Sequence, residues 1–192
     1  MLVKPRKRYV RTTDSKHGFR TYLNLVEDFE PTGINQLWVS DITYIRTVRG
    51  FLYLALITDA YSRKIVGYDI SDSLELEGAL RALRQALKSL PADHQLIHHS
   101  DRGIQYCSHA YVNKLESRGI KISMASKGNC YENAMAERVN GILKGEYYLN
   151  QTFKMKTLAI KACKQAVNIY NNYRLHMSLG YNTPECMHYQ VA

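Results

Sequence analysis

Residues 37–70 read LWVSDITYIRTVRGFLYLALITDAYSRKIVGYDI. Three apolar, β-branched and aromatic runs, residues 37–45, 51–59 and 62–70, are separated by the short polar breaks VRG and AYS. Runs of that length bounded by turn residues predict strands, and breaks this short predict an antiparallel meander. One residue fits poorly. Asp41 stands in the middle of the first run, and strands disfavour aspartate.

Working outward, residues 74–90 place leucines at 76, 80, 83, 87 and 90, the spacing of an amphipathic helix, and Pro91 is expected to stop it. A short strand, HQLIHH, is expected next, then a helix over about 108–118, a strand IKISM, a loop ASKGNCY, and helices over about 132–146 and 155–173. In the last of these, Met155, Leu158, Ala159, Ala162, Cys163, Ala166, Val167 and Tyr170 share one face, as in a packed surface helix. The order is three strands, helix, strand, helix, strand, helix, helix. Residues 1–33 begin with a dense basic run and end at a Pro-Thr-Gly break, which predicts an arm or linker with little core of its own, leaving residues 34–192 as one domain.

The bulk composition narrows the partners. A chain of 192 residues with 45% apolar content suffices for one packed domain. No run approaches the roughly 20 apolar residues of a membrane span, and no signal-peptide core follows the basic start. A soluble, unexported, cytoplasmic protein is expected. Its four cysteines, Cys107, Cys130, Cys163 and Cys186, lie too far apart in sequence for zinc or redox pairs and read as reduced, packed thiols. A net charge of +9 suits a polyanion such as nucleic acid.

Two further carboxylates can join Asp41. Asp101 follows the expected fourth strand, and if the sheet continues from the first strand to the fourth, the two aspartates become neighbours. The helix after the loop offers Glu132, Glu137 and Glu146. At about 100° per residue, Asn133, Asn140, Gly141 and Lys144 fall within about 60° of Glu137, whereas Met135, Val139, Ile142 and Leu143 lie opposite. Glu137 is therefore the glutamate on the polar stripe. Asp59, Asp69 and Asp72 read as turn-formers. A cleft holding Asp41, Asp101 and Glu137 needs a cation to offset its repulsion. Hard oxygen ligands select Mg²⁺ or Mn²⁺, and a pair of such ions can clamp both oxygens of a phosphoryl transfer.

Four ordered stretches carry a family resemblance: NQLWVSDITYI, HHSDRGIQYCS, GNCYENAMAERVNGILKGE and YNNYRLHMSLGYNTP. Over about residues 35–188 the chain resembles the catalytic core of insertion-sequence-three transposases, relatives of retroviral integrases. Asp101 and Glu137 enclose 35 residues, and Lys144 stands seven beyond Glu137, which is the family's spacing. The resemblance implies a ribonuclease H-like α/β fold with a five-stranded mixed sheet flanked by helices. It also implies a Mg²⁺-dependent polynucleotidyl transferase using two ions, with Mn²⁺ able to substitute. Water would cut a phosphodiester at an element end, and the freed 3′-hydroxyl would attack another strand. Asp41, Asp101 and Glu137 would be the catalytic metal ligands; the partners would be element-end and target DNA, with self-association on DNA.

Lys144 is expected to reach a DNA phosphate, and Lys127, Asn133 and Arg138 are candidate contacts around the loop. Arg6, Lys7 and Arg8 in the arm would make non-specific phosphate contacts. Trp38 is expected in the core. His98 and His99 read as a strand pair with one ring buried and one hydrogen-bonded near the site, with metal ligation the alternative. The stretch around His176 has Leu175 where the family usually has proline. No helix-turn-helix pair is legible in residues 1–33, so a fragment or a shortened product is expected. Two rivals stay open: a DNA-binding remnant without catalysis, and a nuclease of the same fold that only hydrolyses.

Overall fold

The computed structural model describes residues 17–126 and 133–190. The meander is present as β1 (Leu37–Thr47), β2 (Gly50–Asp59) and β3 (Ile65–Ser71). Antiparallel pairing sets Trp38 opposite Asp59 and Thr47 opposite Gly50. Gly50, at φ 112°, makes the tight reversal that an L side chain resists. β3 starts three residues later than expected. Residues 60–64 instead form a corner in which Arg63 adopts φ 64° and its amide donates to the Asp59 carbonyl at 2.9 Å.

α1 (Leu76–Leu87) crosses to β4 (Ile97–Ser100), which lies parallel to β1, and β5 (Lys121–Met124) lies parallel to β4. The sheet order is β3-β2-β1-β4-β5, so it is mixed. β4 is shorter than HQLIHH and begins only at Ile97. The helix expected over about 108–118 is present as α3 (His109–Glu116), and a short α2 (Ile104–Cys107), which was not expected, precedes it. Ser108 divides them, because its extended backbone ends α2 while its hydroxyl accepts from the Tyr111 amide at the start of α3. α4 (Ala134–Gly145) and α5 (Lys156–Asn172) follow. A 3₁₀ turn (Met177–Leu179) and α6 (Pro184–Gln190), neither of them expected, complete the order.

Period-2 alternation divides the core between the two sheet faces. Trp38, Ile42, Ala55 and Ile57 pack with α1 and α3, whereas Ile45, Leu52, Leu54 and Leu56 pack with α4 and α5. β2 is covered on both faces, which explains its unbroken apolar run. α1 lies close enough to the sheet that a Cβ at Gly67 would stand 2.3 Å from the Ala82 carbonyl oxygen. On α5, Ala159, Cys163, Ala166, Val167 and Tyr170 are buried as expected, but Met155 and Leu158 are exposed at its N-terminal end.

Residues 17–33 contain no helix or strand. Phe19 and Tyr22 pack on one core cluster, and Val26 and Phe29 on another. The Leu23 carbonyl accepts from the Met124 amide, and the Leu25 amide donates to Ser123 Oγ. The segment thereby covers part of the β5 edge, whose amides would otherwise be open to another strand. Cys107, Cys163 and Cys186 are free thiols, and no described helix is long and apolar enough to cross a membrane.

Candidate active site

Parallel pairing of β1 with β4 sets Ser40 beside Ser100. Each strand then carries its aspartate at the next position, Asp41 and Asp101, so two distant sequence motifs arrive side by side. The Asp41 carboxylate is half-buried. Its Oδ1 accepts from the Ile42 amide at 2.8 Å, and its Oδ2 accepts from Asn140 Nδ2 at 2.6 Å. Asp101 Oδ1 accepts from the Gly103 amide at 2.9 Å, and a Cβ on that glycine would press on the same oxygen.

α4 lies over this pair. Its polar stripe runs along β1 contact by contact: Asn133 Nδ2 donates to the Ser40 carbonyl at 3.3 Å, Asn140 reaches Asp41, and the Lys144 ammonium sits 4.3 Å from the Tyr44 ring centroid. Arg46 approaches the same ring at 5.7 Å. Glu137, in the first turn of α4, is exposed between these contacts. α4 docks through Ala136, Val139, Asn140 and Leu143, so the stripe legible in the sequence lies along one edge of the docking face, with Asn133 and Asn140 buried and Glu137 and Gly141 exposed.

The electrostatics follow from burial first and neighbouring charge second. Burial, then the charge of Asp101, raises the Asp41 pKa to about 7; the Ile42 and Asn140 hydrogen bonds oppose the rise and Glu137 adds to it. Burial lowers the pKa of the Lys144 ammonium, while Tyr44 and Asp41 support its charge. Behind β1, His98 Nε2 lies 2.8 Å from Ser40 Oγ and 3.0 Å from the Tyr111 hydroxyl, and His99 Nδ1 lies 2.8 Å from Ser123 Oγ. Burial, with His99 beside it, pushes His98 down to about 3. Both rings are buried and both are hydrogen-bonded to hydroxyls, where one buried and one hydrogen-bonded ring was expected. Trp38 is fully buried.

The structure therefore sets Asp41 and Asp101 near each other beneath α4, with Asn140 bonded to Asp41, Asn133 bonded to the Ser40 carbonyl and Lys144 over Tyr44, while Glu137 is exposed and reaches Asp41 through its charge. Arg138 is not part of this arrangement; it turns to the other side of α4, where it lines a cavity with Arg63 and Arg174. Lys127, Arg6, Lys7 and Arg8 lie outside the described residues. Among the described residues, no three His, Cys, Asp or Glu side chains converge closely enough to hold a metal ion. What does fit a hard cation is the donor set: carboxylate oxygens from Asp41 and Asp101, with Glu137 acting on Asp41 more weakly. Two contacts were missed from the sequence, the Asn140 bond to Asp41 and the Tyr44 platform under Lys144. The signal existed, since Asn140 and Lys144 share Glu137's stripe, but nothing local says which strand residues the stripe meets.

The sequence profile of the Integrase core domain matches residues 31–130, and a second profile of that description matches residues 118–184. The Insertion element IS600 uncharacterized 31 kDa protein of Shigella sonnei is 41% identical over 183 residues, covering 94% of this chain and 67% of that protein. The transposase for insertion sequence element IS629 of Shigella sonnei is 38% identical, covering 93% and 60%. Transposase InsF for insertion sequence IS3A of Escherichia coli K12 is 37% identical, covering 88% and 59%. The chain thus spans about three fifths to two thirds of the length of these relatives.

Among solved structures, the HTLV-2 integrase catalytic core domain in complex with magnesium superposes with a TM-score of 0.66 at 19% identity, covering 83% of this chain and all of that one. The simian T-cell lymphotropic virus intasome superposes with a TM-score of 0.70 at 19% identity, covering 93% of this chain and 62% of that one. These neighbours establish the fold as ribonuclease H-like, a five-stranded mixed sheet flanked by helices. The profile matches and the sequence relatives make this chain a member of the integrase core domain family, and its relatives include transposases of bacterial insertion sequences.

Proposed function

We propose that the chain is the catalytic core of a DNA transposase that cuts and joins DNA strands with a divalent metal, Mg²⁺ or Mn²⁺, held by Asp41, Asp101 and Glu137. The observation that carries this reading is the register of β1 with β4, which sets Asp41 and Asp101 at matching positions under the helix that bears Glu137. Burial, with the Asp101 charge beside it, raises Asp41 to about 7, and a carboxylate so placed gains most from a cation. When bound, the metal would activate the attacking oxygen and neutralise charge on the leaving oxygen.

The chain's own groups would supply orientation. Asn140 and the Ile42 amide fix the two oxygens of Asp41, the Gly103 amide fixes Asp101, and Tyr44 holds the Lys144 ammonium beside the cleft for a DNA phosphate. The net reaction is hydrolysis of a phosphodiester to leave a 3′-hydroxyl, then attack of that hydroxyl on a second phosphodiester with release of its 3′-oxygen. No bond to the protein forms. Self-association on DNA belongs to the same proposal and is tested by the size of the protein–DNA complex.

The test is cleavage and joining of labelled DNA by the wild-type chain and by Glu137→Gln in Mg²⁺ or Mn²⁺. Metal-dependent cleavage lost in the variant, with DNA affinity retained, is the expected result, because the charge that holds metal goes while the basic surface stays. Unchanged cleavage in Glu137→Gln would overturn the assignment. Joined products separate a transferase from a nuclease that only hydrolyses.

A further inference from the structure

On the far side of α4 from Asp41 lies a cavity of about 680 Å³, walled by α4, α5 and the turn that follows α5. Among the described residues, three arginines line it, Arg63, Arg138 and Arg174, and no aspartate or glutamate does. Arg174 is neutralised by a two-pronged pair with Glu146, at 2.7 and 2.8 Å. The other two have acidic groups only at longer range, Asp59 for Arg63 and Glu146 for Arg138. Arg63 Nη1 donates to the Met135 sulfur, and neither Arg63 nor Arg138 forms an ion pair among the described residues. Burial lowers the Arg63 pKa and Arg138 adds to this more weakly, while Tyr170 and Asp59 support its charge; an anion between the two guanidinium groups would favour both.

The rest of the lining is largely apolar and aromatic, with Ile142 and Tyr170 among it. Met177 and Tyr181, 77% and 67% exposed, are displayed by a closed turn. That turn is held by the His176 amide to the Asn182 carbonyl and the Tyr181 amide to the His176 carbonyl. Gly180 and Tyr181 both adopt left-handed backbone, at φ 60° and 61°. For tyrosine this costs free energy, and strain held in a rigid turn that displays apolar side chains marks a binding surface.

The geometry points to a site for one nucleotide of single-stranded DNA, its phosphate between Arg63 and Arg138 and its base against Tyr181 and Met177. The volume lies in the range of about 300–1,000 Å³ that takes one small molecule, which suits one unstacked nucleotide and not a duplex. Cations without a direct ion pair, beside aromatic side chains, are the combination that holds single strands without reading sequence. Its place gives it a purpose. Glu137 and Arg138 are consecutive, so one turn of α4 carries the candidate catalytic glutamate on one face and a wall of this cavity on another. A strand leaving the cleft would wrap α4 and be held here. The site rests on the DNA reading proposed above and adds to it a docking point that the carboxylate cluster does not supply.

The experiment is fluorescence anisotropy with two labelled probes, a single-stranded oligonucleotide and a blunt duplex of the same length, using the full chain with metal chelated. The proteins are wild type, Tyr181→Ala, Arg138→Glu, and Arg118→Glu, which makes the same charge change at an exposed position outside the cavity. Tyr181→Ala is expected to weaken single-strand binding at least fivefold and leave duplex binding unchanged. Arg138→Glu is expected to weaken single-strand binding more than Arg118→Glu does, with the slope of log affinity against log salt reduced by about 0.7 for each lost phosphate contact. Equal effects of all three variants on both probes would overturn the nucleotide site while leaving the transposase reading intact. A wild type that binds neither probe would overturn both.

Discussion

Asp41 and Asp59 sit on paired strands, three rungs apart on one antiparallel ladder, and meet opposite surroundings. Asp59 is fully buried, yet it is surrounded by donors: Oδ1 accepts from the amide and the hydroxyl of Ser62, both at 2.8 Å, and Oδ2 accepts from the Asn35 amide at 2.7 Å. Ser62 Oγ also contacts His188 Nδ1 at 2.9 Å, which ties α6 to the same corner. Asp41 has two donors, one of them its own neighbour's amide, and feels the charges of Asp101 and Glu137. A carboxylate whose lone pairs are filled by backbone amides holds chain segments together. One left facing other carboxylates is suited to a cation.

Exchanging the two losses is the sharpest way to break this comparison. Asp41→Asn should leave folding intact and lower metal-dependent cleavage at least roughly a hundredfold, since a metal contributes several kcal/mol to such a step. A variant cutting at the wild-type rate would make Asp41 another structural aspartate. Asp59→Ala should do the reverse. It leaves the Asn35 and Ser62 amides without an acceptor in a sealed corner, at a cost of about 3 kcal/mol, read as a lower urea midpoint; an unmoved midpoint would remove the contrast from the other side.

Each corner also has a histidine behind it, and acid should sharpen the contrast. His98 is held down to about 3 by burial and by His99, while His188 is lowered by burial but supported by the charge of Asp59. A histidine whose folded pKa is depressed adds stability above its unfolded pKa of about 6.5 and loses it as pH falls toward the folded value. At pH 5 the His98 share of that loss is about 2 kcal/mol. His98→Gln should flatten the stability profile between pH 6.5 and 5 more than His188→Gln does, measured by urea unfolding at each pH. The smallest effect is expected at Asn140. Asn140→Ala removes a donor that favours ionised Asp41, so the Asp41 pKa should rise further and divalent-metal affinity fall about tenfold. Carbon NMR titration of the carboxyl and calorimetry would each detect it, and no change in either would deny Asn140 a positioning role.

Much of this site was legible because its signals are local or periodic. Alternation in residues 37–59 predicts two strands with Asp41 between apolar positions. Helical phase singles out Glu137 from Glu132 and Glu146, and the same phase places Asn133, Asn140 and Lys144 along the edge of the face that the structure docks on β1. The elements that escaped notice lack such signals. α2 and α6 have 4 and 7 residues, too few turns for a period to emerge. Residues 17–33 read as a linker because they have no period at all, yet Phe19, Tyr22, Val26 and Phe29 find separate pockets along the core. Asp59 reads as a turn-former, which it is; that it also binds Asn35, and through Ser62 His188, depends on segments far away in sequence.

The sequence by itself determined the strands, the longer helices, the identity of the polar stripe and the spacing of the three carboxylates, because each depends on backbone geometry within a few residues. Only the tertiary structure decided that β4 lies parallel to β1 with Ser100 beside Ser40, that Arg138 faces away from its neighbour Glu137 into a second cavity, and that Asp59 is filled with donors where Asp41 is not. Register between distant strands is chosen by which apolar faces can be buried together. That is a property of the packed chain as a whole, and no window of residues contains it.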